Sequence, residues 1–472
     1  MTVRKIHLIA ACGTGMGTLA CMLKDKGYEV TGSDRDVYPP MSDFLKEKGI
    51  RLFEGYNERN LDYGPDLVIV GNAVKRDNCE AVRVMKDSVP YLSMPLAIVR
   101  FLVQDRKVIL VSGTHGKTTT ASIMAWLLHE AGMDPSFLIG GIVKNFGSSY
   151  RLGGGEYFVI EGDEYDTAFF DKGPKFMHYD PFITIVTGIE FDHADIFDDL
   201  DHVKQVFHKF FSKLSSESLL VVPTFDPNIN EIIGAANCRL KKFGDKTGSV
   251  CQDQYEVGVG KARFQVSSSE YGKIPIETSL VGMHNMNNIL CAACTLDEIN
   301  CSADTLNKAM KTFSGIKRRQ EVRGVKNGIT VMDDFAHHPT AVRETVNAVK
   351  PFYKNGRVIA IFEPRTNTSM RKIFQEQYPR AFLNADMVCI KEPSAIEKIP
   401  EGERVCAKKI AEDIFNLGVN AYYFKRSDEI VDFMKKTAEK GDLLLVMSNG
   451  GFDDIHVKLL NALQAEEYKN NE

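Results

Sequence analysis

The stretch VILVSGTHGKTTTASIMAWLL, residues 108–128, limits the possible folds of this chain more than any other. An apolar, β-branched run ends at Ser112, Gly113 and Gly116 permit a tight reversal, and the Ala- and Met-rich segment from about Thr118 to Glu130 is predicted to be a helix. A strand that turns through glycines into a helix is an α/β element. It aims helix-terminal N–H groups and the positive end of a dipole at an anion. Lys117 stands where an ammonium would bridge the β- and γ-phosphates of a nucleotide, and Thr118 where a hydroxyl would face Mg²⁺. The usual loop has four residues between its first Gly and Gly-Lys-Thr, whereas only Thr114 and His115 separate Gly113 from Gly116 here. A Gly-rich turn with an exposed lysine is the alternative, but it leaves the order strand, loop, Lys-Thr-Thr, helix unexplained.

At roughly 150 residues per domain, a chain of 472 residues is predicted to form three domains, and 44% hydrophobic residues are ample for their cores. The alternation of strands and helices places them at 1–105, 106–315 and 316–472. Residues 5–11, 28–33 and 67–73 read as strands of a first parallel sheet. KVILVSG, YFVIEGD and FITIVTG belong to the second block, followed by shorter strands over 239–281 and a helix from about His284. GITVMDD, RVIAIFE, DMVCI, AYYF and DLLLVMS describe a third, doubly wound unit, and TFSGIKRRQ (312–320) reads as its linker.

Lys plus Arg (58) nearly balance Asp plus Glu (63), so charge gives no reason to expect nucleic acid or an anionic membrane, and the expected partners are small molecules. Ten cysteines spread over the chain, no charged-then-apolar leader in MTVRKIHLIA and no apolar run of about 18 residues or more predict a reducing compartment, the cytoplasm. The oligomeric state is left open.

Mg²⁺ on a triphosphate calls for carboxylates. YFVIEGDEYD puts Glu161, Asp163, Glu164 and Asp166 just after one strand, and ITIVTGIEFDHADIFDD puts Glu190, Asp192, His193 and Asp195 after the next. In open α/β sheets ligands sit beyond the carboxyl ends of strands, so three strand ends are expected to share one crevice. Acidic loops are often merely solvated, but beside a phosphate loop they read as metal and phosphate ligands, with His193 among them.

These residues resemble the Mur ligases of bacterial cell-wall synthesis, whose shortened G-[TS]-x-G-K-[TS]-[TS] loop matches Gly113–Thr119. The resemblance continues through E-x-D-E at Glu161–Glu164, D-H-x-D at Asp192–Asp195, G-x-H-N-x-x-N at Gly282–Asn288, R-R-x-E at Arg318–Glu321 and D-D-[YF]-x-H-H-P at Asp333–Pro339. The amino-terminal IAACGTGMGTLACML is a flawed dinucleotide fingerprint, because Thr18 stands where G-x-G-x-x-G wants its last Gly. It is similar to the segment with which muramate-binding members hold a UDP-sugar diphosphate. That likeness implies UDP-sugar contacts at Gly13, Thr14, Gly15, Met16, Gly17 and Asp34.

The resemblance implies three domains, Rossmann-like for the UDP-sugar, P-loop-type for ATP, and Rossmann-like again. It also implies an ATP- and Mg²⁺-dependent ligase in which a muramoyl carboxylate takes the γ-phosphoryl group and a peptide amine then displaces phosphate. Carried over by position, ATP would touch Gly113, Thr114, His115, Gly116, Lys117, Thr118, Thr119, Asn288, Arg319 and Asp334. Thr118, Glu161 and His193 would hold the metal, and Lys117, Glu161, His193 and Arg319 would be catalytic. SDRDVYPPMS, GNAVKRDN, DEYDTAFFDKGPKFMHY, EPRTNT and VMSNGGF resemble the subfamily that joins L-Ala-γ-D-Glu-meso-diaminopimelate to UDP-N-acetylmuramate. Arg365 of EPRTNT is then the candidate for a two-pronged contact to a peptide carboxylate. A UDP-N-acetylmuramate:L-alanine ligase is the alternative, and a nucleotide-dependent switch or an NAD-dependent enzyme is the remote one.

Some residues depart from the family pattern. Gly188 occupies the place of an Asn before D-H-x-D. His208 stands where some members carry a carbamylated Lys, so no carbamylation is expected, and Lys204 and Lys209 read as an exposed helix face. Cys291 and Cys294 lack a second pair and read as buried packing. His337 and His338 diverge before Pro339 and are expected to cap a helix or position nucleotide. Trp126 and the aromatics of VFHKFF (206–211) read as core. No single block carries a whole site, so the third is expected to close on the second about a hinge at 312–317, where Ser314 and Gly315 tolerate large backbone changes.

Overall fold

Runs of Val, Ile and Leu long enough to be buried on both faces favour parallel strands flanked by helices, and the computed structural model of this chain bears that out. It describes residues 3–37, 41–194, 196–258, 261–268 and 270–463, so Asp195 and part of the DVYPPMS stretch lie outside the described residues. Two compact units emerge: Met1–Glu190 with Asp201–Cys251 and Leu290–Ala309, and Phe191–Leu200 with Gln252–Ile289 and Met310–Glu472.

The first unit holds two main sheets. β1 (Lys5–Ile9), β2 (Glu29–Asp34), β3 (Arg51–Glu54), β4 (Leu67–Val70) and β5 (Tyr91–Ser93) form a parallel sheet in the order β3-β2-β1-β4-β5. Strand order reverses between β1 and β4, which opens a crevice at the carboxyl end of β1. Helix Thr14–Asp25 begins there, straight after Gly13.

The second sheet of this unit comprises β6 (Lys107–Ser112), β7 (Ser136–Val143), β8 (Ser148–Arg151), β9 (Tyr157–Gly162), β12 (Pro181–Val186), β13 (Leu219–Pro223) and β14 (Arg239–Gly244). Their order is β14-β13-β12-β6-β9-β7-β8, with only β8 antiparallel to its neighbour. β6 therefore lies between β9 and β12. Ser112 is level with Gly162 on one side and Val186 on the other, so the three loops that follow leave from one edge. Helix Lys117–Glu130 starts one residue earlier than expected. Phe207, Phe210 and Phe211 are core as expected, the first two meeting buried Phe176 and the third meeting both of them, whereas Trp126 is only half-buried among His129 and Phe146.

Between β9 and β12 the chain makes a small antiparallel ribbon, β10 (Asp166–Ala168) and β11 (Asp171–Pro174). Its tip joins the first sheet. Phe169 and Phe170 pack on the cluster containing Ile9, Val68 and Val70, Phe170 meets Tyr91 edge-on at 4.8 Å, and Ser93 Oγ donates to Asp171 at 2.6 Å.

β15 (Val250–Gly258) begins in the first unit, where Val250 pairs with Phe243 of β14. In the second unit β16 (Lys261–Ser268) and β17 (Gly272–Thr278) form an antiparallel hairpin, and helix Met283–Ala293 follows, its residues from Leu290 on belonging to the first unit. The rest of this unit is built on β18 (Glu321–Lys326), β19 (Ile329–Asp334), β20 (Val358–Phe362), β21 (Met387–Lys391), β22 (Asn420–Phe424) and β23 (Leu443–Met447). Their order is β18-β19-β23-β20-β21-β22, parallel except for β18 at the edge. Alternate residues of β20 show why it is doubly wound: Val358, Ala360 and Phe362 pack with Val342 and Ile410 on one face, Ile359 and Ile361 with Ile430 and Leu459 on the other.

All ten cysteines are free, and burial pushes the Cys291 thiol well up, which suits the packing role expected of it and Cys294. Among the described residues no helix is long and apolar enough to cross a membrane.

Candidate functional site

The turn after β6 has the geometry its glycines require. Gly113 has φ +112, and a Cβ there would meet Thr187 Oγ1 at 2.6 Å and the Gly188 carbonyl at 2.7 Å, so no side chain fits. Gly116, left-handed with φ 84, is the N-cap of helix Lys117–Glu130, and no side chain caps that end. Lys117 Nζ donates to the Gly113 carbonyl at 2.6 Å and to both Glu164 oxygens at 2.9 and 3.0 Å. Burial opposes its charge, yet Glu164, Asp163 and Glu161 outweigh that and hold the ammonium above the ordinary lysine range.

Thr118 Oγ1 donates to Glu161 Oε2 at 3.1 Å, while Gly140 N–H holds the other Glu161 oxygen at 2.6 Å. A hydroxyl and a carboxylate oxygen side by side at a phosphate loop are hard oxygen donors, which fits Mg²⁺. Asp163 pairs with Lys175 at 2.9 Å; burial would raise its carboxyl, but Lys175 and Lys117 hold it below the usual range.

The loop after β12 completes this edge through Thr187, which no motif singles out, together with Gly188 and Glu190. Thr187 Oγ donates to the His115 carbonyl, the Gly188 carbonyl accepts from Thr114 N–H at 2.9 Å, and Glu190 N–H donates to Thr114 Oγ1 at 2.8 Å. Gly188 brings no side chain, and Asp226 and Asn228 hold its neighbour instead: Ile189 N–H donates to Asp226 Oδ2 at 2.8 Å and Asn228 Nδ2 to the Ile189 carbonyl at 2.7 Å. The sequence signal was the Asp-Pro-Asn triplet, a helix N-cap motif that draws attention to capping alone.

A cavity of about 530 Å³ joins the two sheets of the first unit. Gly13, Thr14, Gly15, Met16 and Asp34 line one part and Glu161, Asp163 and Lys175 another. Asp34 Oδ2 accepts from Cys12 N–H at 2.7 Å, which fixes the acid at the end of β2 against the turn. Gly17 differs from its neighbours, being buried in the first turn of helix Thr14–Asp25 and not among the lining residues.

The second unit gathers the other expected residues into two groups. His193 sits at φ 55 in a turn, its N–H donating to Asp192 Oδ1 at 2.7 Å. Burial would raise the Asp192 carboxyl, but His193, His337 and His338 bring it down to about 2. His338 caps helix Pro339–Val349 by accepting from Thr340 N–H, as expected. Arg319 lies 4.5 Å over the Phe335 ring. Asp334 accepts from Gln320 and Ala336 N–H at 2.8 Å each, and burial, opposed by Arg319, raises its carboxyl. Asn288 Nδ2 donates to Asn285, and Asn285 donates in turn to Gln320 Oε1 at 3.3 Å, so Asn288 is tied to the segment that carries Arg319.

Arg365 belongs to the second group, at the carboxyl ends of β20, β21 and β23. Its guanidinium is 3.6 Å from buried Glu363, which Lys391 pairs at 2.8 Å, and Arg318 grips the Ser448 and Gly450 carbonyls nearby. On helix Leu200–Phe211, Lys209 is exposed as expected, and His208 is exposed too. Lys204 is not: its side chain is only 14% exposed because it reaches both Asp201 and Glu231.

Three family patterns match this chain in order: the Mur ligase family catalytic domain over residues 5–106, the Mur ligase middle domain over 111–296 and the Mur ligase glutamate ligase domain over 318–450. The chain is 39% identical over 461 residues to the UDP-N-acetylmuramate–L-alanyl-γ-D-glutamyl-meso-2,6-diaminoheptandioate ligase of Escherichia coli strain K12, covering 97% of this chain and 98% of that protein. It is 32% identical over 470 residues to the UDP-N-acetylmuramate–L-alanine ligase of Syntrophomonas wolfei, covering 97% of each. Among solved structures, a murein peptide ligase of Psychrobacter arcticus matches with a TM-score of 0.71 at 35% identity, covering 98% of this chain and 99% of that one.

Proposed function

Because this chain belongs to the Mur ligase family, we propose that it is an ATP-dependent ligase joining the tripeptide L-Ala-γ-D-Glu-meso-diaminopimelate to UDP-N-acetylmuramate, a step that reuses cell-wall peptide. The observation that carries the proposal is the single cavity shared by the Gly13–Met16 turn and Glu161. A sugar nucleotide whose diphosphate rests on that turn would extend its muramoyl carboxylate toward the phosphate loop.

A carboxylate is a poor electrophile. Its oxygen therefore attacks the γ-phosphorus of ATP and ADP leaves; the peptide amine then attacks the acyl carbon, loses a proton and displaces phosphate. The first step is mainly positioning and charge neutralisation. In our reading the loop from Gly113 to Thr119 cradles the phosphates, Lys117 leaves Glu164 to meet them, and Arg319 neutralises the γ-phosphoryl group. Asn288 and Asp334 serve the nucleotide, the latter through the backbone it holds. Thr118, Glu161 and His193 would hold Mg²⁺, which supplies charge neutralisation when bound. The domain boundaries we assign are 1–105, 106–315 and 316–472.

The tripeptide is preferred to L-alanine as acceptor because identity to the tripeptide ligase exceeds that to the alanine ligase, 39% against 32%. Arg365 beside Glu363 is the group that would take a peptide carboxylate. The test is ADP release by the purified chain with UDP-N-acetylmuramate, comparing the tripeptide with L-alanine. Release with the tripeptide alone is expected; release only with L-alanine makes it the alanine ligase, and release with neither removes the proposal.

A further inference from the structure

The ribbon β10–β11 delivers Lys175 to the cavity wall in a fixed pose. Lys175 opens a short turn straight after Pro174, its N–H donates to the Asp163 carbonyl at 3.1 Å, its Nζ lies 2.9 Å from Asp163 Oδ2, and the ammonium sits 4.1 Å over the Tyr165 ring. Its side chain is 9% exposed. Among the described residues that line the cavity, Asp34, Asp36, Glu161 and Asp163 are acidic and Lys175 is the one lysine or arginine.

That charge pattern is hard to reconcile with an anionic ligand unless the cation takes part. Even with Mg²⁺ offsetting Glu161, a sugar nucleotide ending in a free carboxylate would be repelled by Asp163, whereas an ammonium already desolvated and held over Tyr165 costs little further ordering. We propose that Lys175 recognises the free carboxylate of the sugar nucleotide and sets the preference for a carboxylate-bearing sugar over a neutral one. The inference rests on the proposed function, since it concerns that substrate. A lysine serving only to neutralise Asp163 would cease to matter once Asp163 is itself neutral, and this separates the two roles.

The experiment is calorimetric titration of the full chain with UDP-N-acetylmuramate and with UDP-N-acetylglucosamine, which lacks the lactyl carboxylate. The parent is expected to bind the first more tightly. Lys175→Met should lose about tenfold or more for UDP-N-acetylmuramate, a charge-assisted hydrogen bond's worth, and stay within about twofold for the neutral sugar; Lys175→Arg should keep most of the preference. Because Lys175→Met leaves Asp163 unpaired, the double variant Lys175→Met/Asp163→Asn, which removes both charges, is titrated as well: loss of the preference in it supports the role given to Lys175, and a parent-like preference overturns that role. An unchanged preference, or equal weakening for both ligands, overturns the role given to Lys175. ADP release with the tripeptide keeps the functional reading intact in that case, whereas a parent that binds neither sugar and releases no ADP overturns both.

Discussion

Lys117 is half-buried against Glu164 with its ammonium turned back over the Gly113 carbonyl. Two effects should follow from Lys117→Ala. Loss of the cation at the transferring phosphoryl group should lower kcat by about 10²-fold or more. Glu164, 5% exposed, would also be left without its ammonium, so the midpoint of denaturation should fall, and Glu164→Gln on top should recover part of it. Steady-state rates and urea titrations of the single and double variants check both, and activity within threefold of the parent would remove Lys117 from the site. Asp192 gives a pH prediction. A carboxyl held down to about 2 in the folded chain, against about 4 unfolded, contributes stability that is fully present above pH 4 and is lost as the pH falls through 2. The stability difference between the parent and Asp192→Asn should therefore shrink as the pH falls from about 4 through 2; a difference that holds level or grows over that window would show that the carboxylate is not held down in the folded chain. At this scale the sequence disclosed residues whose types announce chemistry. It was silent on Thr187 and Asp226, which act through backbone groups brought near only by the sheet.

Each loop of the phosphate edge owes its place to register. β6 is level with β9 and β12, so turns that are distant in sequence leave the sheet together, and the parallel order was legible from alternating apolar strands and helices. What could not be read was how close they come. Gly113 looks like any turn glycine in the sequence, but the loop after β12 packs against its Cα and its φ is +112. Gly113→Ala should therefore disturb the loop after β12 as well as the phosphate loop, abolish nucleotide binding and lower stability by about 2 kcal/mol or more. Thermal melts with and without ATP test this: a variant still stabilised by ATP as the parent is would show that the loop tolerates a side chain. The ribbon β10–β11 is not legible in the sequence because three- and four-residue strands leave no periodic signature, although DEYDTAFFDKGPKFMHY carries a family likeness.

At the scale of the whole molecule, the residues proposed for one reaction are divided between the compact units. Lys117, Thr118 and Glu161 belong to one, and Asn288, Arg319, Asp334 and Arg365 to the other. Working together during turnover would demand an adjustment near a crossing between them; one crossing falls at Ala309–Met310, and Gly315, inside the second unit just after it, is suited to that adjustment, with φ +82 and, its chain neighbours aside, no atom within 4 Å of where a Cβ would stand. Proline cannot reach that φ, so Gly315→Pro should lower kcat while leaving UDP-N-acetylmuramate affinity within about twofold; a fully active variant would place the hinge elsewhere. The same scale gives a different meaning to the ribbon tip. Phe169 and Phe170 lie against the amino-terminal sheet and Ser93 is bonded to Asp171, so the two sheets of the first unit share buried apolar surface. Melting either would expose part of the other, which couples them as one cooperative block. Heating should consequently unfold residues of both sheets in one calorimetric transition, and the amino-terminal sheet cut out by itself should be an aggregation-prone piece with an uncovered apolar face.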